Sequence, residues 1–181
     1  MKTLKYIIIL ISYFSLSASS CKKDKTGIDA LPAATQEGRN TFGCLVNGEV
    51  FIARSRGGFG PPYFECDYSF ISGTNSFRFY LRGTDKIRSS NSNSIIIYST
   101  GISLISDTKL NLEELKDGNA SARYSETLID EYNTSAISKG EITITKLDES
   151  KRILSGTFWF DAVNEAGEKI KVREGRFDMK Y

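Results

Sequence analysis

Apolar and polar residues alternate with period 2 along most of the chain, the pattern of strands with one buried face. Phe42, Cys44 and Val46 fall on one side. Asn47-Gly48 then gives the strongest short hairpin signal, because both residue types accept positive φ. Val50 to Ala53 reads as the returning strand. Phe64, Cys66, Tyr68 and Phe70 share a face opposite Glu65, Asp67 and Ser69. Gly73-Thr74-Asn75 turns the chain, and Phe77, Phe79 and Leu81 point inward between the outward Arg78, Tyr80 and Arg82. Ile95 to Tyr98 is a continuous apolar strand, and Ile142 and Ile144 alternate with Glu141, Thr143 and Thr145. Leu154, Phe158, Phe160 and Ala162 line one side of a long strand that ends at a turn over Asn164 to Gly167. Ile170 and Val172 go inward between Lys169, Lys171 and Arg173. Gly175 permits a kink or bulge, and Phe177, Met179 and Tyr181 finish on the core side. One stretch, Leu110 to Lys116 (LNLEELK), reads as one or two helical turns, too short to stand without packing.

This pattern predicts an all-β fold: an antiparallel β-sandwich of nine or ten short strands, with at most one short helix. A closed lipocalin-like barrel is the alternative. The domain is expected to span about residues 39–181, a size that buries roughly two thirds of its unfolded surface. Residues 21–38 (CKKDKTGIDALPAATQEG) are charged and weakly patterned, and are expected to form a flexible tether.

The first twenty residues differ from all that follows. Lys2 and Lys5 precede an apolar run from Tyr6 to Phe14, which is shorter than the roughly 20 residues a bilayer span requires. The small residues Ser17 to Ser20 then lead to Cys21, as before a signal-peptidase cut. The junction resembles the lipobox of bacterial lipoproteins, in the looser Ser-Cys form of Bacteroidota-type leaders, with Ala18 where the common pattern has Leu. Residues 1–20 are therefore read as a lipoprotein signal peptide and Cys21 as the lipidation site. Acyl chains such as palmitate would anchor it firmly, at about 0.8 kcal/mol per buried methylene.

Cleavage there leaves 161 residues and removes two lysines, so 22 basic residues balance 22 acidic ones. A neutral chain has no general electrostatic attraction for nucleic acid, and no nucleic-acid partner is expected. Cys44 and Cys66 remain as an even pair on the core side of two strands. In an exported protein they are expected to form a disulfide, worth about 3 kcal/mol for a loop of about 23 residues.

The chain has no histidine, which removes Ser-His-Asp and Cys-His catalysis and His-ligated zinc. Glu65 and Asp67 could serve as a carboxylate pair, but their spacing is the ordinary polar side of a strand. Gly57-Gly58-Phe59-Gly60-Pro61-Pro62 lacks the Lys-Ser/Thr of a phosphate loop and reads as an inter-strand loop. Asp107 and Asp117-Gly118-Asn119 do not have EF-hand spacing and read as turns. No catalytic residue, metal site or cofactor is expected. Tyr80, flanked by Arg78 and Arg82, and Trp159 are the candidate ligand-binding residues, since outward aromatics beside arginines are enriched at binding hot spots. The favoured competing reading has a second sheet cover this face, which would make Trp159 core.

Three runs carry a family resemblance: Gly140 to Asp148 (GEITITKLD), Ser155 to Phe160 (SGTFWF) and Glu174 to Asp178 (EGRFD), with the opening Asn40 to Gly48 (NTFGCLVNG). They resemble a Bacteroidota lipoprotein family catalogued as a domain of unknown function. The resemblance implies an envelope location and all-β structure, and supplies no activity. The expected protein is a non-enzymatic lipoprotein of the outer membrane, attached through Cys21, acting as a binding or accessory module. A glycan or an envelope protein is its expected partner. The alternatives are an assembly subunit of an envelope complex and a lipocalin-like carrier of a small apolar ligand.

Overall fold

The computed structural model describes residues 25–54, 63–86, 93–126 and 130–181. The segment 1–20 read as a signal peptide, Cys21 and the glycine-rich loop at 57–62 lie outside them. The fold is all-β. Its strands are β1 (Thr41–Val46), β2 (Glu49–Ile52), β3 (Phe64–Ile71), β4 (Ser76–Asp85), β5 (Asn93–Thr100), β6 (Thr108–Glu113), β7 (Ala120–Ser125), β8 (Glu131–Asn133), β9 (Gly140–Asp148), β10 (Ile153–Val163) and β11 (Lys169–Lys180). They form one sheet in the order β2-β1-β11-β10-β9-β6-β7-β5-β4-β3, with β8 branching to pair with both β7 and β10. Every named strand pair is antiparallel except β6–β7.

The two halves of the sheet fold over one another in a sandwich-like arrangement. Phe42 of β1 packs against Gly83 of β4, where a Cβ would collide with its ring. Tyr68 of β3 meets Tyr181 beyond β11 edge-on, with ring centroids 5.9 Å apart. At one point the two sheet margins touch, through a parallel bridge between Arg54 and Asp85. The core between the halves is aromatic. Phe42 lies 5.2 Å from Phe158, and Phe158 lies 6.5 Å from Phe177 and 6.4 Å from Phe160. Ile95, Ile97, Leu112, Ile142, Ile144, Leu154 and Met179 complete it.

The local signals act as the sequence indicates at several places. Asn47 and Gly48, with φ of 51° and 85°, make the two-residue turn between β1 and β2. Phe70 shares the side of Phe64, Cys66 and Tyr68 as expected, but it lies at the end of β3 and remains exposed, edge-on to Phe77. The LNLEELK stretch is not helical. Leu110 and Leu112 sit in β6, paired with Ile142 and Gly140 of β9, and only the residues after Glu113 turn. Two leucines at i and i+2 fit a strand as well as a helix. Pairing with β9 decides the matter by burying Leu112 fully.

The N-terminal segment, read from the sequence as tether up to residue 38, packs from Leu31 onward. A single 3-10 turn spans Gly27–Ala30. Leu31 is buried, and Pro32 lies on Gly43 of β1, where a Cβ would come within 2.6 Å of the proline ring. Residues 35–39 then cross the outer face of β10 and β11 and close over Asp178. This carboxylate lies between the inward Phe177 and Met179, on the opposite side of the strand, and is fully buried. Five groups donate to it: the Thr35 hydroxyl (2.5 Å), the N–H groups of Glu37 (3.0 Å), Gly38 (2.7 Å) and Arg39 (3.2 Å), and the Ser155 hydroxyl (2.8 Å). Gly38 has φ of +72°, a region glycine enters without strain. Asn40 then accepts from the Lys180 N–H and leads the strap into β1.

Burial alone pushes the Asp178 carboxyl up, but the hydrogen bonds from Thr35, Glu37, Ser155 and Gly38 outweigh it and hold its pKa at about 2. A carboxylate depressed below its unfolded value of about 3.9 stabilises the fold fully above that pH. The contribution, roughly 2 kcal/mol, is lost as pH falls from about 4 to about 2. Asp178→Asn is therefore expected to lower stability at pH 7 by about 2–3 kcal/mol, since the amide leaves some buried donors unpaired. In denaturant titrations across this pH range, the gap between native and variant proteins should shrink as pH drops. A gap that stays constant down to pH 2 would contradict the role of the charge.

Candidate functional site

The outer face of β9, β10 and β11 carries two cross-strand rows beside the strap. Thr157 of β10 pairs in register with Thr143 of β9 on one side and Arg176 of β11 on the other. One step along, Trp159 pairs with Glu141 of β9. On its other side β11 bulges, with a register shift opposite Phe158 to Phe160. The bulge is built by Glu174, at φ of 56°, and by Gly175, where a Cβ would come within 2.5 Å of the Phe158 ring. Its effect is to aim Arg173 back across β10. The Arg173 guanidinium lies over the indole, 5.4 Å from the ring centroid, within cation–π range. It is fixed there by bonds to the carbonyls of Phe160 (3.0 Å) and Val172 (2.8 Å) and to the Asp161 carboxylate (2.6 Å).

These residues line a cleft of about 470 Å³, with Ala34 of the strap at one margin. Trp159 is 42% exposed, so among the described residues no second layer covers it, and the expectation that Trp159 belongs to the core is overturned. The cleft charges are matched. Arg176 bonds to the Glu174 carbonyl (3.2 Å) and carboxylate (3.3 Å), and Glu141 accepts from Lys109 (3.0 Å).

The other sequence candidates lie elsewhere. Tyr80 pairs in register with Tyr98 of β5, ring centroids 6.4 Å apart, and both line a separate, more apolar cleft of about 460 Å³ with Ile96, Leu115 and Thr134. Arg78 and Arg82 are bound across to β3, by Asp67 at 2.6 Å and Glu65 at 3.0 Å. Each member of the Glu65/Asp67 carboxylate pair thus has an arginine counter-ion. The structure therefore does not join Trp159 and Tyr80 into one site. Sequence reasoning missed Arg173, Arg176, Thr143 and Thr157. A glycine-marked bulge followed by an outward arginine was the available signal. A wider depression of about 720 Å³ near the β10–β11 turn is lined by Asp130, Glu131, Asn133, Val163, Asn164, Glu165 and Ala166, without an aromatic platform.

Cys44 and Cys66 are both free thiols, which corrects the expected disulfide. They face different parts of the core: Cys44 is an electrostatic neighbour of the Tyr124 hydroxyl, and Cys66 of Tyr181. Burial pushes the Cys44 thiol strongly up, and burial with the Asp67 charge pushes Cys66 up to about 12. Neither forms the nucleophilic thiolate at neutral pH.

A family described as a domain of unknown function (DUF6252) matches residues 102–179, which contain β6 to β10, all of β11 but its last residue, and every cleft residue except Ala34. No curated protein and no solved structure matches the chain.

The cysteine geometry has a direct check. In native protein without reductant, both thiols should resist alkylation at neutral pH. After unfolding, still without reductant, mass spectrometry should find both Cys44 and Cys66 alkylated. An unfolded protein that takes up label only after reduction would restore the disulfide.

Proposed function

We propose that this chain is a non-enzymatic, lipid-anchored binding module of the bacterial cell envelope, held to the outer membrane through Cys21. The observation that carries the binding part is Trp159: an indole left 42% exposed on the sheet, beneath an arginine that stands at a bulge of β11. Large aromatic surface in water costs free energy that burial against a partner recovers. The three hydrogen bonds on Arg173 hold the platform in place before any ligand arrives, which lowers the cost of ordering it on binding. The anchoring part is supported by the leader pattern before Cys21 and by the resemblance of the 140–178 segment to Bacteroidota lipoproteins. The two carboxylates of the cleft are each engaged by a cation, which favours binding over acid–base chemistry.

Two rival readings differ in their support. A carrier of an apolar molecule would need the interior volume that Phe42, Phe158, Phe160 and Phe177 occupy. An envelope assembly subunit is favoured by β3, which ends the sheet order and pairs only with β4 among the described residues, leaving an edge that an incoming strand can extend.

Cys21→Ser should remove the acyl mass and shift the protein from the membrane to the soluble fraction of cells. Trp159→Ala should leave membrane attachment and folding intact but weaken retention of the purified mature chain on isolated envelope and extracellular material by on the order of tenfold. Full retention by folded Trp159→Ala would end the binding reading, and membrane attachment that survives Cys21→Ser would end the anchoring one.

A further inference from the structure

We infer that the Trp159 cleft takes a neutral carbohydrate, with a pyranose ring lying against the indole and its hydroxyls on the Thr143–Thr157–Arg176 row. The inference rests on the reading of this cleft as a binding site and names its ligand class. A pyranose has a face of C–H groups and a rim of hydroxyls. It needs an apolar plate bordered by groups that donate and accept hydrogen bonds. The cleft offers that combination: the Trp159 plate in one cross-strand row and two threonine hydroxyls with an arginine in the next. Among the described residues, neither the Thr143 nor the Thr157 hydroxyl has a protein hydrogen-bond partner, and each can both donate and accept.

Charge decides between neutral and acidic sugars. Arg173 is held by Asp161, Arg176 by Glu174, and Glu141 by Lys109. A carboxylated or sulfated sugar would bring its charge beside Asp161, Glu174 and Glu141, and both arginines of the lining are already charge-matched. A hydroxyl brings no such charge. It can donate to a remaining lone pair of Glu141 or Glu174 and accept from an arginine N–H while every ion pair stays formed. The lining holds two acids and two arginines, so it exerts no net attraction on an anion. The strap adds Ala34 as a small, flat margin that leaves room beside the plate.

The chain has a single tryptophan, so its fluorescence reports this cleft alone. The experiment titrates the full mature chain with neutral oligosaccharides of glucose, mannose, xylose and N-acetylglucosamine, and with oligogalacturonate and heparin as acidic probes. At least one neutral oligosaccharide should shift the emission to shorter wavelength and protect it from acrylamide quenching, with an affinity insensitive to salt. Thr157→Val keeps the fluorophore and the strand, and should weaken that affinity by about five- to tenfold. A response to the acidic probes alone, silence across the neutral panel, or an affinity unchanged in Thr157→Val would each overturn the inference. If the panel is silent while Trp159-dependent retention on envelope material persists, the ligand class is wrong and the site stands. If both are absent, the site itself falls.

Discussion

The Asp178 carboxylate is the constraint on which the outer face of this protein depends. A charge removed from water costs several kcal/mol unless it is matched by donors. Here the match is made by a piece of chain some 140 residues away in sequence, whose backbone N–H groups and one hydroxyl converge on both oxygens. Ser155, in register with Asp178 on β10, supplies the fifth donor from the sheet itself. The arrangement works in both directions. The strap keeps the carboxylate dry and fully hydrogen-bonded, and the carboxylate fixes a segment that has few apolar contacts of its own. Leu31 and Pro32 add a small packed foothold at β1.

That constraint also places the cleft. Along β10 the outward positions run Ser155, Thr157, Trp159. The first is sealed beneath the strap and the next two are open. The strap thus covers one end of this face and leaves Ala34 at the boundary of the rest. The inner face makes the opposite demand. Phe158 packs at a tilt against Phe42 and Phe177, and Gly175 lets β11 close over the Phe158 ring. The same glycine sits in the bulge that turns Arg173 onto Trp159. A packing requirement of the core therefore sets the geometry of the surface platform.

Much of the fold was legible because strands declare themselves through alternation. The faces of β1, β4, β9, β10 and β11, the Asn47-Gly48 turn and the irregularity at Gly175 all follow from residue type and spacing. What remained hidden depended on partners distant in sequence. The strap has no periodicity to read, and three of its four donors to Asp178 are backbone groups, which every residue but proline carries. Leu110 and Leu112 satisfy either a helix or a strand until β9 is beside them. Both cysteines were rightly assigned to the core side, but alternation says nothing of position along the core, and they face different neighbours. Trp159 and Tyr80 were both recognisable as outward aromatics. Only the strand order reveals that β9, β6, β7 and β5 separate their strands, so that they serve different clefts.

The most direct test of this account is amide hydrogen exchange of the strap at neutral pH, read residue by residue in the intact mature chain. The N–H groups of Glu37, Gly38 and Arg39 bond to Asp178 rather than to a strand ladder, so their protection reports the carboxylate alone. The account predicts protection within about tenfold of the neighbouring β11 amides in the native protein, and its loss at these three positions when Asp178 is replaced, with β10 and β11 still protected. Exchange at the free-peptide rate for all three in the native protein would show that the strap is not held. The cleft margin and the constraint on the outer face would then fall with it.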